Sequence, residues 1–254
     1  MTDHYVPGVG PLEPDLMIVG EAPGKHEDLA KIPFVGPSGE LLTDALHKAG
    51  MPRAACYITN VCKHRPPNNN FKHLHLIGVD LEEQIKYLWE HEIHARRPKC
   101  ILAVGNEALK AITSYDGIMN YRGSILLARD GVTKVVPCVH PAALFAHKTW
   151  GEDSEDEGEQ SGGLDYVWLK LIEHDIARAV EESKSRTLSL PVRDIVVARN
   201  SLDVSRYFSQ YRADTDAAVD IESINCIPVC IGFAFNRHHA ISIPLLHQDR
   251  KSVV

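Results

Sequence analysis

Several features of membrane and secreted proteins are missing from this sequence of 254 residues. No apolar run approaches the roughly 20 residues of a membrane-spanning helix, and the first residues show no charged-then-apolar signal pattern. The six cysteines contain no Cys-x-x-Cys pair, and we expect reduced thiols that are mostly buried. We therefore interpret the chain as a cytosolic protein with no membrane partner.

Positive charge is also scarce, since the formal net charge is −7 and nucleic-acid-binding proteins commonly carry a basic surface. The acidity is local, however. Residues 1–150 hold 16 basic and 16 acidic side chains, and residues 184–254 hold 9 basic and 7 acidic ones. The excess lies between them and begins in residues 151–163, a low-complexity segment that we interpret as a solvated linker. The net charge therefore marks a domain boundary and does not exclude DNA as a partner.

Apolar runs alternate with amphipathic stretches through residues 1–150, which we interpret as one domain. The runs at 16–19, 57–59, 100–104 and 135–139 are short and mostly apolar, which is typical of parallel strands covered on both faces. We predict an α/β fold in which three layers, α/β/α, surround a central four-stranded parallel sheet. A connecting helix is predicted at residues 164–185, after the linker.

The predicted strands end in polar or glycine-rich turns. Gly20 and Glu21 follow the first strand, Asn60 the second, Gly105 and Asn106 the third, and His140 the fourth. Because ligands of open parallel sheets bind outside the carboxyl ends of the strands, we expect an acid, an amide and an imidazole to converge there. Each signal alone is weak: the acid could hold only the local backbone, and the first amide could cap a turn.

These motifs carry a resemblance to the uracil-DNA glycosylase superfamily. The similar segments include GEAPG at 20–24, PFVGPSGELL at 33–42, YITNVCKHRPP at 57–67 and VHPAALF at 139–145. The match extends over roughly residues 6–147 and is closest to the iron–sulfur branch, often called family four. The resemblance implies an enzyme that flips uracil out of DNA and hydrolyses its glycosidic bond.

The resemblance also assigns roles in this chemistry. The uracil-binding residues would be Gly20, Phe34 and Asn60, with the Phe34 ring stacked on the base. The alternative for Phe34 is a purely structural role in the hydrophobic core. An amide at Asn60 can donate to O4 and accept from N3–H, whereas cytosine presents the opposite pattern. His140 would donate to O2 as negative charge develops, and Glu21 would position the water or order the pocket. Another branch carries a water-activating Asp where this chain has Ala22, which leaves the general base open.

Contacts with DNA are implied at Gly36, Ser38, Lys63, Arg65 and Leu144. Leu144 or its neighbour Phe145 would fill the stack that the flipped base vacates. A related branch traps DNA covalently through a histidine in the loop that here holds His73 and His75. Because the basic run of that branch is missing, we interpret this loop as facing DNA or solvent.

The cysteine ligands of the iron–sulfur branch are absent. Residues 1–15 contain no cysteine, His64 stands in the place of the third ligand, and the region near Gln84 lacks the fourth. Since a cubane cluster requires four thiolates, we predict no cluster and no other cofactor for this domain. Cys62 and His64 offer two metal ligands, which are too few for a site.

A second resemblance covers AAVDIES at 217–223, PVCIGFAF at 228–235 and HAISIPL at 239–245. It is to the start of the ribonuclease H-like 3′–5′ exonuclease domain of family A DNA polymerases. Asp220 and Glu222 would share one face of a strand and bind Mg²⁺, but only in a complete exonuclease domain. We interpret residues 186–254 as an N-terminal fragment of such a domain, without exonuclease activity of its own.

Two functions fit these observations. The first is a uracil-DNA glycosylase that forms the N-terminal part of a phage-type DNA polymerase, which would act in the host cytoplasm. The alternative is a non-catalytic module that binds uracil or DNA and tethers a replicative polymerase. In both cases the expected partners are uracil-containing DNA and the remainder of a DNA polymerase.

Overall fold

The computed structural model describes residues 4–146, 166–188, 194–212, 214–224, 227–236 and 238–245. The chain falls into two compact units, Met1–Leu188 and Ser189–Val254. The predicted acidic linker at residues 151–163 lies outside the described residues. Within the described part of the chain, no helix is long and apolar enough to cross a membrane.

The first unit is built on a five-stranded sheet with the order β2-β1-β3-β5-β4. Its strands are β1 (Leu16–Gly20), β2 (Tyr57–Asn60), β3 (Cys100–Val104), β4 (Leu126–Leu127) and β5 (Lys134–Cys138). Strands β2, β1, β3 and β5 run parallel, which confirms the predicted four-stranded parallel sheet. Strand β4 adds a short antiparallel edge next to β5, too short to be recognised from residue pattern.

Helices cover both faces of this sheet. They are α1 (Lys25–Ala30), α2 (Pro37–Lys48), α3 (Leu81–Tyr87), α4 (His94–Arg96), α5 (Asn106–Thr113), α6 (Ile118–Tyr121), α7 (Ala143–Ala146) and α8 (Tyr166–Glu182). A π-helical turn, Leu88–Ile93, joins α3 to α4. Short 3₁₀ turns occupy Arg53–Ala55, Pro67–Asn69 and Phe71–Ile77.

Each parallel strand supplies two cores, because alternate residues of a strand point to opposite faces. Leu16 and Ile18 of β1 lie in the core beneath α2 and α8. Met17 and Val19 of the same strand lie in the core beneath α3 and α5. The first unit therefore has the predicted three layers, and strands buried on both faces account for the nearly continuous apolar runs of the sequence.

Helix α8 is part of the first unit. It buries four apolar side chains in the core shared with β1 and β3, namely Ile172, Ile176, Ala179 and Val180. The Arg122 guanidinium donates to both carboxylate oxygens of the fully buried Asp175, at 3.0 and 2.7 Å. The prediction that this helix only connects two domains is therefore corrected. The apolar face of α8 packs on the sheet and covers part of the core of the first unit. The first unit extends to Leu188, beyond the predicted boundary at residue 150.

In its described residues, the second unit consists of a four-stranded sheet and one helix. Its elements are β6 (Asp194–Val197), α9 (Ser201–Phe208), β7 (Ala218–Ile224), β8 (Ile227–Asn236) and β9 (His239–Pro244). Strands β7, β8 and β9 form an antiparallel meander, and β6 pairs parallel to β9. Tyr207 of α9 packs with Ile241 in a small aromatic core. The assignment of this unit to an exonuclease fragment stays a prediction.

Candidate active site

A cleft of about 570 Å³ opens at the carboxyl ends of the parallel strands. Four residues predicted for uracil binding or catalysis line it, namely Glu21, Phe34, Asn60 and His140. They come from the turn after β1, the loop before α2, the end of β2 and the turn after β5. Parallel strands direct their carboxyl ends to one edge of the sheet, which explains why residues so far apart in sequence share one cleft.

Gly20 allows the base-recognition residues to approach β1. A Cβ atom at this position would lie 2.4 Å from Asn60 Oδ1 and 2.6 Å from Phe34 Cζ. Both distances are far below van der Waals contact, and neither neighbour is a flexible chain end. The bare backbone of Gly20 therefore forms the floor on which the amide and the aromatic ring meet.

Phe34 is held in a strained backbone conformation. Its φ is +52°, a left-handed value that bulky residues rarely adopt. A Cβ at Gly39 would lie only 1.8 Å from the Phe34 carbonyl oxygen, so α2 packs directly on this backbone. The ring is 4% exposed and lies near-parallel to the His140 ring, with centroids 5.9 Å apart. Such strain persists where surrounding structure enforces it, and it is common at ligand sites.

His140 is half-buried at the cleft and has a defined tautomer. The Ala142 backbone N–H donates to His140 Nδ1 at 3.1 Å, so Nδ1 is an acceptor without a proton. A neutral ring must then carry its proton on Nε2. Burial lowers the pKa of His140 to about 4, which keeps the imidazole neutral. The residue is thus a neutral hydrogen-bond donor.

Glu21 lies between the cleft and the start of α5. Its Oε1 accepts the Glu107 backbone N–H at 3.2 Å, and a Cβ at Gly105 would lie 2.4 Å from the same oxygen. Burial raises the pKa of Glu21, and the backbone N–H donors at the helix start oppose that rise. The carboxylate therefore ties the end of β1 to the end of β3. This contact is the local-backbone role that the sequence left open.

The other strand-end amide does not reach the cleft. Asn106 Oδ1 accepts the backbone N–H groups of Gly117 and Ile118, and its Nδ2 donates to Asp116. Its side chain therefore orders the loop that follows α5. A polar residue at a strand end is thus not sufficient evidence for a site residue.

The DNA-facing residues are brought together only in part. Ser38 lines the cleft, and Gly36 precedes Pro37 at the start of α2. Arg65 is half-buried and donates from Nε to Asn69 Oδ1 at 2.9 Å. Whether these residues contact DNA stays a prediction.

Two of the implied DNA contacts are corrected. Lys63 is 1% exposed, and its amine donates to Glu92 Oε2 at 2.7 Å, so it cannot reach a phosphate. Leu144 is 4% exposed and belongs to the core, so it is not an exposed wedge. The side chain of its alternative, Phe145, lies outside the described residues.

The histidine loop contributes residues that the sequence did not single out. Asn69 and Phe71 line the cleft, whereas neither His73 nor His75 does. His26 of α1 also lines it, and a Cβ atom at Gly36 would lie 3.0 Å from His26 Nδ1. No local pattern distinguishes these positions, because they enter the cleft only through the path of the loop and of α1.

The places of the iron–sulfur ligands hold residues with other partners. The His64 ring contacts the Tyr5 ring edge-on, with centroids 5.5 Å apart, and Gln84 Oε1 accepts the Lys63 backbone N–H. Among the described residues, no group of three or more His, Cys, Asp or Glu side chains is arranged to hold a metal ion. The residues present therefore do not fit a four-thiolate cluster.

Asp220 and Glu222 are both exposed on the edge strand β7. They pair with Gly232 and Cys230 of β8, two positions apart, so they share one face of the sheet. This geometry agrees with their predicted common orientation. Metal binding by this pair stays a prediction.

The amino-acid sequence has clear relatives. A model of the uracil DNA glycosylase superfamily matches residues 7–159. A type-4 uracil-DNA glycosylase of Archaeoglobus fulgidus is 36% identical over 168 residues, covering 63% of this chain and 82% of that protein. One of Pyrobaculum aerophilum is 38% identical over 149 residues, covering 56% and 74%. A DNA polymerase of Bacillus phage SP01 is 30% identical over 139 residues, 54% of this chain and 14% of the polymerase. The chain belongs to the uracil-DNA glycosylase superfamily.

Proposed function

We propose that the first unit excises uracil from DNA. The observation that carries this proposal is the meeting of Phe34, Asn60 and His140 in one cleft, where Phe34 and Asn60 also lie against the bare backbone of Gly20. An aromatic ring, an amide and a neutral imidazole are the groups that a flipped uracil requires. Relatives named as type-4 uracil-DNA glycosylases support the same activity.

Recognition of the base depends on Asn60. The residue is 4% exposed, so a base that binds to it must lose its contacts with water. Its amide donates to uracil O4 and accepts from N3–H, whereas cytosine offers a donor and an acceptor in reverse order. A mismatched base would leave buried polar groups unpaired, which costs about 1–3 kcal/mol. The Phe34 ring completes the pocket by stacking on the base.

Bond cleavage depends on His140. As the bond between uracil N1 and the sugar breaks, the bonding electrons pass to the uracil ring and make it an anion. The Nε2–H of His140 donates a hydrogen bond to O2 of this anion. Because the ring is already neutral and oriented by Ala142, little reorganisation is needed as the charge develops. Water adds to the sugar carbon, and the proton that it loses is finally taken up by the departing uracil anion, which leaves an abasic site and free uracil.

Glu21 orders the turn that faces the attacking water. Its contact with the Glu107 N–H joins this turn to α5, and Ala22 beside it offers no carboxylate. In this proposal Glu21 and the backbone of residues 20–24 position the water.

The first unit is further proposed to work without an iron–sulfur cluster. The proposal rests on His64 and Gln84, whose partners are Tyr5 and the Lys63 N–H in place of cluster iron. Iron analysis and the visible absorption spectrum of anaerobically purified protein test it. Stoichiometric iron, together with the visible charge-transfer absorption of an iron–sulfur cluster, would overturn the proposal whether or not the protein is active.

Excision is tested with a 5′-labelled single-stranded oligonucleotide that contains one uracil. After incubation and alkali, strand breaks are expected to form rapidly with the wild-type chain and far more slowly, though still measurably over long incubation, with His140→Ala or Asn60→Ala. Asn106→Ala is the matched control, because this strand-end amide faces away from the cleft. Tight binding of the oligonucleotide without abasic sites would reject excision and favour the non-catalytic tethering module.

A second proposal concerns the polymerase context. The similarity to a phage DNA polymerase and the carboxylate pair on β7 favour a chain that forms the N-terminal part of a polymerase. The reading frame downstream of this sequence tests it. Polymerase motifs and the remaining exonuclease carboxylates in that frame are expected, and an unrelated neighbouring gene would overturn it.

A further inference from the structure

A buried ion pair lies directly behind the base-recognition residue. Lys63 is 1% exposed and Glu92 is 3% exposed, and they are joined by a contact of 2.7 Å between Nζ and Oε2. The same amine donates to Thr59 Oγ1 at 2.6 Å and to the Asn60 carbonyl oxygen. All three protons of the amine are thereby used.

Glu92 binds the strand as well as the lysine. Its Oε1 accepts from Tyr57 Oη at 3.1 Å, and its Oε2 accepts from Thr59 Oγ1 at 2.9 Å. It lies in the π-helical turn Leu88–Ile93, and such turns are frequent at functional sites. One carboxylate therefore holds the two hydroxyl residues of β2 to the helical layer.

The strand alternation separates this network from the cleft. Tyr57 and Thr59 point to one face of the sheet, whereas Ile58 and Asn60 point to the other. The network therefore binds the main-chain carbonyl of Asn60 from one face of the sheet, while the Asn60 carboxamide lies in the cleft on the other side. The residues that follow are fixed as well, because the N–H groups of Val61 and Cys62 donate to the carbonyls of Gly20 and Glu21.

Stability alone is a poor explanation for this pair. Moving two charges out of water is costly, and well-packed apolar side chains of similar volume commonly give equal or greater stability. What apolar side chains cannot supply is a directed hydrogen bond to the Asn60 carbonyl. A small rotation of that peptide would swing the carboxamide away from the base.

We infer that Lys63, held by Glu92, is a positioning residue that sets the orientation of Asn60 for uracil recognition. This inference rests on the proposed excision of uracil. It gives Lys63 a role in the reaction without contact to DNA, base or water.

The chain offers a matched control. Lys134 is also 1% exposed, and its amine lies 2.7 Å from Glu182 Oε2. It stands at the start of β5, at the edge of the sheet opposite the cleft, and its other partner is the Thr187 carbonyl. Loss of this pair removes a buried lysine contact of the same length without touching Asn60.

The test compares Lys63→Met with Lys134→Met in single-turnover excision of uracil, per folded molecule. We expect the Lys63 variant to react roughly ten- to a hundredfold more slowly, and the Lys134 variant to react at the wild-type rate. In an Asn60→Ala background, Lys63→Met should cause no further loss. Equal rates for the two lysine variants, or full additivity with Asn60→Ala, would overturn the inference.

Two further arms keep the inference testable. If either single variant fails to fold, the double variants Lys63→Met/Glu92→Gln and Lys134→Met/Glu182→Gln are compared in place of the single variants. Each double variant removes both charges of its ion pair and so leaves no unpaired charge. If the wild-type chain excises nothing, the proposed function fails while the positioning is still measured. The side-chain amide signal of Asn60 in ¹⁵N-asparagine-labelled protein should then shift with Lys63→Met and not with Lys134→Met. An unmoved signal would overturn the inference independently of activity.

Discussion

His140 acquires its charge state from the fold. Its Nδ1 accepts the Ala142 N–H, and burial lowers its pKa to about 4. A lone histidine in a sequence carries no such information, because an exposed imidazole titrates near pH 6.5.

The first prediction concerns pH. The folded-state pKa lies below the unfolded value, so the unfolded chain binds this proton first as the pH falls. The contribution of His140 to stability is therefore complete above about pH 6.5 and is lost as the pH falls through about 4. We expect the His140 ring signals to titrate near pH 4 by NMR, and excision to persist at pH 5.5. A midpoint near 6.5 would contradict the neutral-donor role.

The second prediction concerns Gly20. A Cβ there would displace Asn60 Oδ1 and the Phe34 ring, so Gly20→Ala should abolish most excision while the chain stays folded. Gly50→Ala is the control. Gly50 has a φ of +79° with open space around it, so its replacement strains the backbone by roughly 1–2 kcal/mol and leaves the cleft alone. Activity and melting temperature of both variants give the answer, and an active Gly20→Ala protein would contradict the close approach.

At the scale of elements, the contact between α8 and the sheet is decisive. The Arg122–Asp175 pair joins the segment before β4 to α8 through two hydrogen bonds, and the same guanidinium donates to the Leu171 carbonyl. These contacts fix the helix over the core that it covers.

The third prediction follows from this pair. Asp175→Ala leaves the Arg122 charge partly buried and unpaired, so it should lower the free energy of unfolding by about 3–5 kcal/mol. Glu173→Ala is the control on the same helix, since Glu173 pairs with the exposed Lys48 and surface pairs contribute little. Urea unfolding of both variants measures the difference. Similar losses would show that the buried pair does not hold α8.

At the scale of the whole molecule, the chain consists of two units, and the boundary between them lies at Leu188 and not at the acidic segment 151–163 that the charge pattern indicated. The family match ends at residue 159, before α8, yet the first unit extends through that helix. A truncation at the end of the family match would therefore remove part of the core.

The fourth prediction tests this division. Residues 1–188 should fold alone and retain excision, because they contain the complete core and cleft. Residues 1–150 should aggregate, because loss of α8 exposes the apolar core that Ile172 and Ile176 cover. Circular dichroism and size-exclusion chromatography distinguish the two. A soluble, cooperatively melting 1–150 fragment would contradict the role of α8 in the core.

The sequence alone determined the layered α/β fold, because strands buried on both faces of a parallel sheet need nearly continuous apolar runs such as 100–104. It also determined that Glu21, Asn60 and His140 would lie at one edge, since parallel strands share the direction of their carboxyl ends. Only the tertiary structure decided that Lys63 and Leu144 are buried, that α8 belongs to the first unit and that Phe71 reaches the cleft. The reason is physical: periodicity reports the local environment of a residue, whereas burial of a lysine depends on a carboxylate 29 positions away that only the fold brings to it.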